Sequence, residues 1–268
     1  MPASLQAAIL GIVQGVTEFL PISSTAHLLI AERLLGFQDL GGVFTVMIQL
    51  GSIFAVVWLY RRKVIDVITG LPTRPEARSF AFKVLLATVP TLVAGALLSK
   101  FVKNVLYGSF LVIASAFITG GIIMLVVERF RPKPDVSDID SLPPGRALSV
   151  GAWQALALVP GVSRSGGTIV AAMAMRVDRA AAAEFTFFLA MPTMAAAFAH
   201  DLLDARHELA SARGLEIAIG FVMAFLSSLL IVKPFLNYVR RSGFQPFAWY
   251  RIIAGIALLI ALWSGWGR

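Results

Sequence analysis

Two short polar runs in this chain carry the residue types needed for chemistry on an anion. The first is Gln14-Gly-Val-Thr-Glu18-Phe-Leu-Pro21-Ile-Ser23-Ser24-Thr25-Ala-His27. Its spacing of four puts Gln14 and Glu18 on one helix face, two oxygen donors suited to a hard cation such as Mg²⁺ or Ca²⁺. Pro21 ends that helix, and the hydroxyls of Ser23, Ser24 and Thr25 suit the start of the next, whose free N–H groups attract an anion. His27 falls just inside this second helix. The other run is Pro160-Gly-Val-Ser163-Arg164-Ser165-Gly166-Gly167-Thr168. Its glycines permit close backbone approach, the hydroxyls of Ser163, Ser165 and Thr168 can donate, and Arg164 can grip phosphate through two parallel bonds. By composition this is a phosphate cradle. It is not a P-loop, because no Gly-Lys-Ser/Thr follows. Purely structural alternatives are a protonated Glu18 in a polar kink and an Arg164 that snorkels or pairs with an acid. Taken together, the two runs point to phosphoryl chemistry.

The elements that must position these residues are membrane helices. Of the 268 residues, 58% are hydrophobic and 14% charged, with a mean hydropathy of +0.81; an ordinary soluble domain is about 25% charged. Six segments have the length and apolar character to cross a bilayer of about 30 Å: Leu40 to Tyr60, Phe82 to Ser99, Phe110 to Glu128, Ala183 to Leu203, Leu215 to Val232 and Phe247 to Ser264. Two further apolar stretches, Leu5 to Leu35 and Leu148 to Met175, are interrupted by the two polar runs. Each reads as helix, break, helix, a re-entrant hairpin lining a site. The expected fold class is therefore an all-α polytopic membrane protein, with six transmembrane helices and two re-entrant hairpins in one integral domain over residues 1–268. The first Lys or Arg is Arg33, so the start of the chain lacks a basic leader region and reads as mature structure.

The hairpins resemble each other. At a shift of 140 residues Gly11, Gln14, Ser23 and Thr25 fall on Gly151, Gln154, Ser163 and Ser165, and at a shift of 141 Phe44-Thr45 falls on Phe185-Thr186. Two halves, 1–131 and 146–268, are then joined by a Pro- and Asp-rich linker over 132–145. One hairpin and three crossings in each half force the halves into opposite orientation. The basic residues favour one side. Arg61, Arg62, Lys63, Arg74, Arg78, Arg129, Arg131, Lys133, Arg146, Lys233, Arg240 and Arg241 share it, against Arg33, Lys100, Lys103, Arg206, Arg213 and Arg268 on the other. The positive-inside rule makes the richer side cytoplasmic and lets the two hairpin tips meet within the membrane. The same distribution accounts for a net charge of +8 without a nucleic-acid partner. With no cysteine, disulfides, thiolate zinc sites, iron–sulfur clusters and cysteine nucleophiles are excluded, and three histidines argue against a His-rich metal site.

The motifs Gln14-x-x-x-Glu18, Pro-x-Ser-Ser-Thr-x-His and Pro160-Gly-x-Ser-Arg-Ser-x-x-Thr168 resemble those of the undecaprenyl-diphosphate phosphatases, the bacitracin-resistance family, and the likeness covers the whole chain. The resemblance implies hydrolysis of undecaprenyl diphosphate to undecaprenyl phosphate and phosphate at the outer face of the bacterial plasma membrane, which recycles the lipid carrier of cell-wall synthesis. It makes Glu18 an essential acid or metal ligand, and Ser24 and His27 catalytic candidates. Arg164 with Ser163, Ser165 and Thr168 becomes the diphosphate clamp, beside the further binding candidates Ser23, Thr25 and Gly166. The family has Glu or Gln at its first motif position, and Gln14 brings a neutral oxygen. Attack by Ser24, His27 or a water stays open, with Ser24 activated by His27 or Glu18 preferred. The alternative function is a lipid-phosphate flippase or anion carrier, since inverted repeats with broken helices also build transporters.

Other polar residues read as structural. Gln49 suits an interhelical hydrogen bond, and Asp178, Arg179 and Glu184 suit a helix start. His200, Asp201, Asp204, Arg206, His207 and Glu208 read as a solvated loop. The run Ala195-Ala196-Ala197 suits close helix contact within one chain or between two copies of it.

Overall fold

The computed structural model describes residues 1–39, 42–204 and 213–265. Among these there are eleven α-helices and no strand; one isolated bridge joins Val136 to Val177. The first hairpin is α1 (Ala3–Thr17) and α2 (Ser24–Leu35). Then come α3 (Val43–Leu59), α4 (Arg61–Gly70), α5 (Pro75–Phe101), a π-helical turn Val102–Leu106, and α6 (Phe110–Phe130). The second hairpin is α7 (Pro144–Gln154), a 3-10 turn Ala155–Leu158, and α8 (Arg164–Ala174). It is followed by α9 (Arg179–Asp204), α10 (Gly214–Ser242) and α11 (Gln245–Trp263).

Five of these helices, α5, α6, α9, α10 and α11, are long and apolar enough to cross a membrane. The sixth expected span is shorter than the sequence suggests. With 17 residues, α3 rises about 25 Å, and the chain then bends by 75° into α4. The bend falls where Arg61, Arg62 and Lys63 follow the apolar run, because three consecutive cations cannot continue through hydrocarbon. Elsewhere helices outrun their apolar cores. Pro75 and Glu76 open α5 seven residues before Phe82, α9 starts at Arg179 instead of Ala183, and α10 continues to Ser242 past Val232. Hydropathy marks the membrane-facing part of a helix, whereas caps and propensity set where it ends. The linker is shorter than 132–145, since α7 begins at Pro144. It is also partly buried: Val136, Ile139 and Leu142 join the core, Lys63 reaches Asp140 at 2.5 Å, and Arg146 grips Asp135 at 2.5 and 3.0 Å. Leu40, Arg206, His207, Glu208 and Arg268 lie outside the described residues.

Packing runs across the halves in a reciprocal pattern. The first hairpin's α1 lies along α10, and the second hairpin's α7 lies along α5; α3 meets α10 as α9 meets α5, and α6 pairs with α11. Glycines at repeat-related positions allow the closest approaches. A Cβ on Gly11 would stand 2.3 Å from the carbonyl oxygen of Gly220, and one on Gly151 would stand 1.9 Å from that of Ala87. Backbone contact of this kind is how membrane helices gain packing energy in the absence of a hydrophobic drive between them. Gly151→Ala is accordingly expected to cost about 1–3 kcal/mol by overpacking, read as a fall in melting temperature in detergent; Gly145→Ala, with open space around its Cβ, is the control.

Candidate active site

Each hairpin breaks in the same unusual way. Ser23 and Ser163, equivalent at a shift of 140, both have positive φ, 70° and 59°, and each immediately precedes the second helix of its hairpin. A positive φ on a residue with a side chain is uncommon and clusters at functional sites. At the second break Ser163 Oγ accepts from the backbone N–H of Gly166 at 3.1 Å, so α8 starts with a capped turn. The hairpins also touch directly, Ser165 Oγ donating to the carbonyl of Leu20 at 2.7 Å.

Glu18 sits where the two breaks meet. Its Oε2 accepts from Ser24 Oγ at 2.6 Å and from Gln14 Nε2 at 2.8 Å, while Oε1 accepts from Arg164 Nη2 of the other hairpin at 2.8 Å. Both partners of the ion pair are largely shielded, with side-chain exposures of 5% for Glu18 and 17% for Arg164. A carboxylate so placed lies within hydrogen-bond reach of the Ser24 proton and is paired with the Arg164 guanidinium. Arg164 Nη1 is buried with no partner, as is Gln14 Oε1.

A cavity of about 700 Å³ opens from this centre. Its wall includes Glu18, Ser23, Ser24, Thr25, Ser163, Arg164 and Ser165 from the hairpins. The wall continues along α2, with Glu32, and along the chain leading to the second break, and it adds Asp39, the start of α3, the C-terminal halves of α5 and α9, Val102 and Tyr107. Gln14, His27, Gly166 and Thr168 do not line it. Thr168 is fully buried, its hydroxyl donating to the carbonyls of Arg164 and Ser165 and accepting from Thr186. Gly166 lies against Arg251 and Ser163. His27 is not brought to Ser24: its Nδ1 donates to the carbonyl of Ser23 at 2.7 Å, and its Nε2 meets Tyr250 Oη at 2.6 Å with the two rings stacked. Two residues read as peripheral from sequence do line the cavity, Gln49 on α3 and His200 on α9, the latter in a helix instead of the expected loop. Asp178 and Arg179 have the structural parts expected, the first accepting from the N–H of Ala180 and the second paired with Glu128.

Sequence reasoning missed Arg251, 1% exposed on α11. Its guanidinium donates to the carbonyls of Pro21, Gly161 and Val162 at both breaks and to Ala116 and Phe117 on α6. It is the only charged residue in Phe247 to Ser264, and that isolation in an apolar span was the available signal.

Fold and site together define a polytopic α-helical membrane protein with a shielded carboxylate, hydroxyl and guanidinium centre for an anionic ligand. The profile of a family described as bacitracin resistance protein BacA matches residues 7–257, and the chain belongs to that family. It is similar to undecaprenyl-diphosphatase 1 of Agrobacterium fabrum, 47% identical over 96% of each chain, and to the undecaprenyl-diphosphatase of Cereibacter sphaeroides, 48% identical over 98% of each. The undecaprenyl-diphosphatase of Rhizobium meliloti is 44% identical over 97% of each chain.

Proposed function

We propose that this protein hydrolyses undecaprenyl diphosphate to undecaprenyl phosphate and phosphate, recycling the lipid carrier of cell-wall synthesis and conferring bacitracin resistance. The observation that carries the reading is Glu18 holding Ser24 Oγ through one oxygen and Arg164 through the other. A carrier needs an anion clamp but no hydroxyl resting on a base. Ser24 Oγ attacks the terminal phosphorus as its proton passes to Glu18. The bond from that phosphorus to the bridging oxygen breaks, and undecaprenyl phosphate leaves with the electron pair. Water then attacks the phosphoserine phosphorus, and Ser24 departs with a proton returned through Glu18. Arg164 and the N–H groups opening α8 stabilise the charge on the transferring group.

A divalent cation, Mg²⁺ or Ca²⁺, fits the donors present. Glu18 supplies one carboxylate and Gln14 an unpartnered carbonyl oxygen, both hard ligands. Among the described residues no cluster of three His, Cys, Asp or Glu could cage an ion alone. The ion would therefore arrive with the phosphate oxygens of the substrate, and its chemistry is to neutralise diphosphate charge.

The basic end of the molecule, where Lys63 and Lys83 meet Asp140 and Arg179 meets Glu128, is the end where α3 finishes and α5 and α9 begin. The cavity is lined from the opposite ends of those three helices. By the positive-inside rule this supports a site opening toward the outer face of the plasma membrane. The deciding experiment is phosphate release from undecaprenyl diphosphate by purified protein, with Mg²⁺, with Ca²⁺ and with chelator. Release is expected to need metal and to fall at least about 10²-fold in Arg164→Ala of unchanged melting temperature. Absence of release from folded wild type under every metal condition would reject the phosphatase reading.

A further inference from the structure

The two breaks carry matching serines, yet they are held in different ways. At the second, Ser163 Oγ caps α8 and the carbonyl of Ser163 accepts from the N–H of Gly167 at 2.9 Å. At the first, Ser23 makes no cap bond and lines the cavity, and the matching backbone bond, from the N–H of His27 to the carbonyl of Ser23, is long at 3.3 Å. The missing hold comes from the His27 ring, whose Nδ1 donates to that same carbonyl at 2.7 Å. At a shift of 140 residues His27 falls on Gly167, which has no side chain to do this. A positive φ on a serine costs about 1–3 kcal/mol and persists only where its surroundings over-determine it, so the ring stands in for the cap.

Tyr250 decides which ring nitrogen carries the proton. The Ser23 carbonyl can only accept, which puts the proton on Nδ1; Nε2 of the neutral ring is then an acceptor, and Tyr250 Oη donates to it at 2.6 Å. The two rings stack at 5.6 Å with 13° between their planes, and Phe117 lies 5.7 Å from the same imidazole. Both ring nitrogens are thereby engaged away from Ser24, whose hydroxyl rests on Glu18. Arg251, next to Tyr250 on α11, donates to the carbonyl of Pro21, so one helix secures the first break on either side of Ile22.

We propose that His27 is a positioning residue and not a proton carrier: oriented by Tyr250, it holds the Ser23 carbonyl and so aims Ser24 at the terminal phosphorus. The carbonyl of Ser23 and the N–H of Ser24 belong to one planar peptide unit, so fixing the first fixes the frame from which the Ser24 side chain projects. This rests on the phosphatase reading and adds Tyr250 to the residues that govern the reaction. Proton transfer is left to Glu18.

The test compares kcat and KM for phosphate release in full-length wild type, Tyr250→Phe, His27→Asn and His27→Gln, with the His27 ring followed by nitrogen NMR of protein labelled in its histidines. The chain has three histidines, so the His27 signals are those lost in His27→Asn. An asparagine amide can stand near the place of Nδ1 whereas that of glutamine reaches the place of Nε2, and neither takes up or gives a proton at neutral pH. His27→Asn is expected to keep kcat within about tenfold of wild type, the share of one hydrogen bond, and His27→Gln to lose about 10²-fold through a misplaced Ser24. Tyr250→Phe is expected to lower kcat about 3–10-fold with KM unchanged, and to move the ring proton from Nδ1 toward Nε2, where a free imidazole side chain prefers it. Equal losses of about 10²-fold or more in both His27 variants would overturn the positioning role in favour of acid–base catalysis. A tautomer unmoved in Tyr250→Phe, or a wild-type kcat there, would overturn the part given to Tyr250. Where His27→Gln fails to fold, the activity kept by His27→Asn decides, since an amide cannot replace a proton carrier. Wild type that releases no phosphate removes the phosphatase reading and the positioning role with it, whereas losses confined to the variants bear on the positioning alone.

Discussion

Glu18→Gln is expected to keep the fold and to lower kcat for phosphate release by about 10²–10⁴-fold, the range that loss of one general base produces. Glutamine has nearly the shape of glutamate and still offers an oxygen to one of the donors from Ser24, Gln14 and Arg164. It cannot take the Ser24 proton, and it no longer neutralises Arg164. These two losses move the kinetic constants differently. The 2.8 Å pair between Arg164 and Glu18 competes with the diphosphate for the guanidinium, so freeing Arg164 is expected to leave KM unchanged or lower while kcat falls. A Glu18 that acted only as a metal ligand would give another pattern, in which high Mg²⁺ or Ca²⁺ restores kcat. An acid quench during wild-type turnover is expected to trap phosphate on Ser24. Phosphate trapped on His27 would overturn the assignment of the nucleophile, as would a Glu18→Gln enzyme of near wild-type kcat.

Glu18, Ser24 and Arg164 stand out in the sequence as ionisable or hydroxyl side chains inside apolar runs, and the structure brings the three into contact. The sequence sets Ser23 and Ser163 at matching positions of the two hairpins, and the structure gives both a positive φ. What stayed hidden is contact through backbone atoms and between distant segments. Ser165 reaches the carbonyl of Leu20 and Arg251 reaches those of Pro21, Gly161 and Val162; a carbonyl is present at every residue and leaves no trace in composition. His27 follows Ser24 by three, a spacing that suggests a shared helix face. Its ring instead turns to Tyr250, 223 residues away, a partner that local spacing does not show. Five of the six spans expected from hydropathy are long apolar helices in the structure, whereas the shortness of α3 depends on the 75° bend at Tyr60, a consequence of the cations that follow it. Gln49 and His200 could be assigned to the cavity only once α3, α5 and α9 had been placed around one space.

Arg251→Met is expected to reduce phosphate release by at least about 10²-fold, since displacements near 1 Å at a reacting centre cost that much. The size of the effect follows from where the guanidinium sits. It is buried without an acidic partner and spends its donors on carbonyls from three segments: the first break at Pro21, the second at Gly161 and Val162, and α6 at Ala116 and Phe117. Methionine fills much of the volume and removes a costly buried charge, but takes the donor from the break carbonyls of Pro21, Gly161 and Val162 at about 1–3 kcal/mol each, while those of Ala116 and Phe117 keep their bonds within α6. The two terms oppose each other in global stability, so the melting temperature is expected to change less than the activity does. In local geometry only the Ser165 contact with Leu20 and the Arg164 pair with Glu18 remain to oppose the loss, because the same side chain ties Pro21 to Gly161 and so helps to set the distance from Ser24 and Glu18 to Arg164. Arg251 does not line the cavity and is a positioning residue; its effect is expected in kcat and in the spread of the hairpin tips. The cysteine-free chain allows that spread to be measured directly, with spin labels on Ile22→Cys and Val159→Cys. The distance distribution is expected to broaden in Arg251→Met and to narrow only partly in Arg251→Lys, whose single ammonium cannot span carbonyls from three segments. An unchanged distribution with activity within threefold of wild type would show that the hairpins hold their register without Arg251, and that the direct contact of Ser165 with Leu20 is enough.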